Sequence, residues 1–177
     1  MKVKDRVAPH VESPATEWED ILDGILVREG PGTPPYLDPH DRGGRTAYGI
    51  SERAHPEAWL AGPPTRDAAR AIYRTSYLAP FAALEVDPRV REALIDDAVV
   101  SGVAAAVTTL QRVLRVEPDG VIGPVTIAAA KGALDGDWLV LRVVEARVLR
   151  LARIVERDQT QARFLVGWIT RALALLG

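Results

Sequence analysis

The chain has 177 residues, with 22 basic and 24 acidic side chains and a formal charge of −2 at neutral pH. That length fits one compact domain, or one with a small appended lobe, and a 47% hydrophobic fraction excludes disorder over most of it. The near-neutral balance argues against a dedicated nucleic-acid binder, and the absence of cysteine excludes disulfides, zinc ribbons and a thiol nucleophile. His10, His40 and His55 show no ligand spacing, so neither metal nor cofactor is expected. The basic residues are 19 arginines and 3 lysines, and asparagine is missing. A GC-rich coding sequence accounts for this bias; heat tolerance is the alternative.

In chain order, Met1 to Thr16 lacks the apolar stretch of a signal peptide. The chain is therefore expected to be made in the cytoplasm and to reach any site beyond it with help. Thr16-Glu17-Trp18-Glu19 has the spacing of a capping box, which predicts a helix from Glu17 to the stop at Gly30-Pro31. Trp18, Ile21, Leu22, Ile25 and Leu26 give that helix its apolar face. Residues 31–52 read as a long loop followed by a small hairpin, with Gly43-Gly44 at a turn. Helices are then predicted from Thr65 to about Tyr77, from Asp87-Pro88 to Val100, from Ala104 to Leu114 and from Pro124. The longest runs from Trp138 to Arg157 on a stripe of Val140, Val143, Val144, Val148, Leu151 and Val155. A last helix, from about Gln161, reads as core; Arg171 interrupts its apolar run, which is too short to span a bilayer. The fold class is α+β, mostly α, with one small β element near the N-terminus.

Glu29 is the most informative position. It lies eleven residues after Trp18, seven after Leu22 and four after Ile25, on the buried stripe of its helix. It also falls in the last turn, where the helix dipole opposes negative charge. Burial and dipole both favour a neutral carboxyl, which is what glycosidic cleavage asks of a general acid. The alternative is a carboxylate that reaches solvent or pairs with an arginine at the helix end. Asp38 and Asp41, in the loop that follows, either assist across a cleft or form turns. Thr46 either holds a water or is simply β-prone. On the longest helix, Arg142, Arg150, Arg153 and Arg157 share one sector. They form either a solvated face or a cationic strip for anionic glycans, teichoic acid, lipopolysaccharide or phospholipid headgroups.

The run Tyr36-Leu37-Asp38-Pro39-His40-Asp41-Arg42-Gly43-Gly44-Arg45-Thr46-Ala47-Tyr48-Gly49-Ile50-Ser51, preceded by Glu29-Gly30, resembles the signature of glycoside hydrolase family 108. That family comprises N-acetylmuramidases, among them phage endolysins and proteins once labelled secretion activators. Further likenesses follow in order: Ile72 to Tyr77, Asp96 to Gly102, Leu110-Gln111 with Asp119 to Thr126, and Phe164 to Arg171. Two departures are an insertion, PGTPP, after Gly30 and Val100 where the motif has Asn.

The resemblance implies a lysozyme-like fold. It assigns residues 1–16 to a tail, 17–102 to a catalytic part and 103–177 to a helical peptidoglycan-binding part packed on it. It implies that Glu29, Asp41 and Thr46 are catalytic, and that Asp38, Tyr48, Tyr73, Asp96 and Ser101 contact substrate. The expected activity is hydrolysis of the β-1,4 bond between N-acetylmuramic acid and N-acetylglucosamine. The expected partners are peptidoglycan glycan strands, with anionic envelope lipids met through Arg150, Arg153 and Arg157, and the chain is expected to be monomeric. Two rivals stand beside this reading: a non-catalytic wall-binding or secretion-accessory protein, and a lytic transglycosylase.

Overall fold

The structure, a computed structural model, describes residues 14–30, 45–133 and 135–177. Helix α1 (Pro14–Glu29) is followed by a hairpin of β1 (Thr46–Ala47) and β2 (Ile50–Ser51). Then come α2 (Arg66–Tyr73), α3 (Pro88–Ser101), α4 (Val103–Leu114), α5 (Pro124–Gly132), α6 (Gly136–Arg157) and α7 (Ala162–Leu173). This is the mostly helical α+β architecture that the sequence predicts.

The centre is built by α3, α4 and α6, which pack on one another. Val90, Leu94, Ile95 and Ala98 of α3 meet Ala106, Val107 and Leu110 of α4, with Leu139, Val140, Val143 and Val144 of α6 in the same core. Each such Val, Leu or Ile contributes roughly 1.5–3 kcal/mol on leaving water. Only Gly102 separates α3 from α4, and its φ of +88° turns the chain back on itself without a Cβ penalty. Ile21, Leu22, Ile25 and Leu26 join α1 to this core. On the flank of that face, Glu19 and Asp23 pair with Arg70, Glu19 with Arg74, and Asp23 with Arg66, clasping α2.

Two expectations are corrected, the start of the first helix and the burial of the last, and the hairpin and the Thr65 helix gain detail. Helix α1 starts at Pro14, not Glu17: proline suits a first turn, and the helix runs through the Thr16 position that the capping box would have made its boundary. The hairpin turns at Tyr48-Gly49, with Thr46 opposite Ser51 and Ala47 opposite Ile50; Gly43-Gly44 lies outside the described residues. The α2 segment, capped by Thr65 as expected, ends as an α-helix at Tyr73 and widens into a π-turn over Arg74–Leu78. The last helix is not core: α7 fully buries only Ala172, and Val166 and Leu173 stand 75% and 50% exposed. No helix among the described residues is long and apolar enough to cross a membrane.

The link from α4 to α5 explains the motif Asp119 to Thr126. Gln111, buried on α4, donates through Nε2 to Asp119 Oδ1 (2.7 Å), the Val121 carbonyl (2.9 Å) and Thr126 Oγ1 (3.0 Å). Its Oε1 accepts from the Gly120 amide at 2.9 Å. One amide side chain thus satisfies a whole turn, and Pro124 opens α5 at the tolerated first position.

Candidate active site

Glu29 is the last residue of α1, and Gly30 after it has φ +79°, the left-handed stop that the sequence predicts. The carboxyl packs against the hairpin turn. Tyr48 and Gly49 have φ of +51° and +75°, the two positive values that a type I′ turn requires. Glycine at the second position also answers to space. A Cβ there would lie 2.7 Å from Glu29 Oε2 and against the Tyr73 hydroxyl. The Tyr73 hydroxyl donates to the Tyr48 carbonyl at 2.9 Å and holds the turn in place. Gly49→Ala is therefore expected to lower stability by about 1–3 kcal/mol, through the positive φ and the displaced carboxyl together. A thermal melt that leaves Tm unchanged would mean that this close approach is not required.

Two phenols share the surroundings of Glu29. Burial, then the charge of Glu29, pushes the Tyr73 hydroxyl well above the ordinary tyrosine range; Tyr77 is raised for the same two reasons. Both stay protonated across the neutral range. Their rings lie 5.4 Å apart at 41°.

The partner of Glu29 comes from the far end of the chain. Arg171 Nη1 of α7 stands 2.7 Å from Glu29 Oε1. The contact is a charge pair without hydrogen-bond alignment, since Oε1 has no hydrogen-bond partner among the described residues. The alternative left open by the sequence, pairing with an arginine, thus holds in this structure, although that arginine lies 142 positions away rather than at the helix end. Arg171 is itself held by Asp96, to which Nε donates at 3.0 Å.

Asp96 and Asp97 on α3 are 0% and 1% exposed and organise the arginines around them. Asp96 also takes Arg28 Nε at 3.0 Å and Arg147 Nη1 at 2.9 Å. Asp97 takes Arg150 Nη2 at 2.6 Å and lies 3.2 Å from Arg147 Nε. Burial pushes the Asp96 carboxyl up, but the Arg171 hydrogen bonds and the charges of Arg171, Arg147 and Arg28 outweigh it and hold it below the usual carboxylate range. Arg147 and Arg171 were missed by sequence reasoning as site residues. A signal existed for Arg147: it lies four residues from both Val143 and Leu151, an arginine on the valine stripe. Arg171 had a signal too, as the residue that closes the Phe164 to Arg171 likeness and interrupts an apolar run.

Other predicted site residues fare unevenly. Asp38 and Asp41 lie outside the described residues. Thr46 and Tyr48 are half-buried on the hairpin, and Tyr48 lines a cavity of about 280 Å³ with Leu26, Val27, Gly30 and Arg66, beside the end of α1. Substrate contact by Tyr73 and Asp96 is corrected: they are 1% and 0% exposed, and their polar atoms are taken by the turn and by arginines. Ser101 is also committed, accepting from Arg150 at 2.9 Å and donating to Asp97 at 3.2 Å. Arg150 leaves the proposed outer strip for the same reason; Arg153 and Arg157 are exposed.

The family model described as glycosyl hydrolase 108 matches residues 22–102, and one described as "Predicted Peptidoglycan domain" matches residues 105–173. The fold is similar to the solved structure of Brucella abortus SagA, with a TM-score of 0.69 and 28% identity over 92% of this chain and 97% of that one. No match was found among curated proteins. Glu29 and the hairpin lie in the first matched region and Arg171 in the second, so the site joins the two.

Proposed function

We propose that this chain, a glycosyl hydrolase 108 protein with a peptidoglycan-binding second half, is a muramidase. It would cleave the β-1,4 bond between N-acetylmuramic acid and N-acetylglucosamine. The observation that carries the reading is the position of Glu29 at the end of α1, pressed against the Tyr48-Gly49 turn beside an open cavity. In this reading Glu29, charge-paired with Arg171 in the free chain, acts from its protonated form and passes that proton to the glycosidic oxygen as the C1–O bond breaks. The carboxylate left behind meets the Arg171 guanidinium, a fixed cation that needs no rearrangement to receive it. A water adds at C1 and loses its proton to a second carboxylate, the role assigned to Asp41, with Thr46 orienting the water. Tyr48 is assigned to sugar contact.

Peptidoglycan lies beyond the cell membrane, so a chain made inside must cross that membrane to reach it, and release through a phage holin suits an endolysin role. Asp41→Asn is expected to lower turnover about 10²-fold with KM and Tm near wild type, measured on purified peptidoglycan. A larger loss from Asp38→Asn would transfer the role to that residue. The deciding experiment is mass spectrometry of fragments released from peptidoglycan. Reducing-end muramic products support the hydrolase, anhydro-muramic products a lytic transglycosylase, and no release the accessory reading.

A further inference from the structure

We propose that the groove between α4 and α6 binds the carboxylate-bearing stem peptide of peptidoglycan, an inference that rests on the hydrolase reading above. The groove is a cavity of about 250 Å³ lined by Arg112, Arg115, Arg142, Arg150 and Arg153, against a single acid, Glu145. On a chain of net charge −2 this is a local concentration of cation. Arg142 is paired with Glu145 and Arg150 with Asp97. The side chains of Arg112, Arg115 and Arg153 make no ion pair or hydrogen bond among the described residues, and Arg150 has a buried Nε without a partner among them.

Arg115 supplies an independent observation. It caps α4 with φ +59°, in the left-handed region where glycine is the easy residue. Arginine there adds backbone strain and brings a guanidinium to the groove.

The chemistry of the lining selects the ligand. Planar guanidinium forks match carboxylates. Trp138 and Leu149, 46% and 50% exposed, provide an apolar wall in the same groove. A stem peptide offers free carboxylates separated by small aliphatic groups, which fits both features. Uncharged N-acetylglucosamine fits only the wall. A membrane would present many headgroups to a flat or convex face, whereas these arginines line a small concavity. The groove also falls within the region matched by the peptidoglycan domain.

The test titrates the full chain with the soluble tetrapeptide L-Ala-γ-D-Glu-diaminopimelate-D-Ala by calorimetry. The comparison ligands are its amidated form, an N-acetylglucosamine oligomer, inorganic phosphate and phosphatidylglycerol vesicles. The free acid is expected to bind, more weakly at higher salt. Arg115→Gly should weaken it about tenfold, the double change Arg112→Gln with Arg153→Gln about a hundredfold. Tm of the Arg115→Gly protein should be equal or higher, because glycine relieves the left-handed strain. Equal binding of the amidated peptide, affinity unmoved by these substitutions, or binding of phosphate or vesicles through these arginines without peptide binding would overturn the proposal. Cleavage of peptide-free glycan strands by the wild-type chain reads the hydrolase assignment separately. Cleavage without peptide binding sinks the subsite alone, and peptide binding without cleavage sinks the hydrolase alone.

Discussion

Glu29→Gln is expected to reduce release of reducing ends from purified peptidoglycan by about 10²–10⁴-fold, the usual contribution of a general acid. Glutamine keeps the shape of the side chain against Gly49 and Tyr73 but has no proton of comparable acidity to give. Little else in the structure should move. Arg171 loses one charge contact that lacks hydrogen-bond alignment, and it keeps its hydrogen bonds to Asp96. Tm is therefore expected within a few degrees of wild type, as for a change with no buried charge left unpaired. Lysis at more than a few per cent of the wild-type rate would remove Glu29 from the acid role and favour the accessory reading. Loss of activity together with a large fall in Tm would assign Glu29 a part in the fold instead.

Helical periodicity made most of the fold legible. The apolar faces of α1 and α6, the Thr65 cap, the Gly30 stop and the Pro88 and Pro124 starts all follow from local rules, and the structure has them. What local rules could not supply was the partner across space. Glu29 was found because its spacing puts it on a buried stripe, but Arg171 reaches it only through the packing of α7 on the rest. Asp96 illustrates the opposite error. Asp96 opens a likeness to an enzyme family and so reads as a substrate contact, whereas its burial beside Asp97 makes the two carboxylates anchors for arginines on α1, α6 and α7. The Tyr48-Gly49 turn is not legible from local rules, because tyrosine is not a residue that favours a positive φ. Tyr48 in a left-handed conformation is selected by what surrounds it, namely the Tyr73 hydroxyl and the close approach of Glu29 to Gly49.

Asp96→Asn is expected to cost about 3–5 kcal/mol at neutral pH, the range for breaking a buried ion pair by removing one partner. Asparagine keeps the volume but removes the negative charge that Arg147, itself 1% exposed, and Arg171 face. The loss is larger than a surface pair would give, because exposed ion pairs are worth about 1 kcal/mol or less. For a chain of this size it corresponds to a fall in Tm of about 10 °C. The pH dependence carries the signature of charge. Asp96 is held below its ordinary range when folded, so its stabilisation is complete above the unfolded value near pH 4 and declines as pH falls through the folded value. The gap in stability between wild type and Asp96→Asn should therefore be constant from pH 5 to 7 and narrow below about pH 4, measured by denaturant unfolding across that range. A gap that stays open in acid would show that the aspartate acts through shape or neutral hydrogen bonding. Activity supplies the second readout. Because Asp96 orients Arg171 and Arg171 stands against Glu29, the variant should lose turnover even at temperatures where it remains folded, whereas a purely structural anchor would lose activity only as it melts.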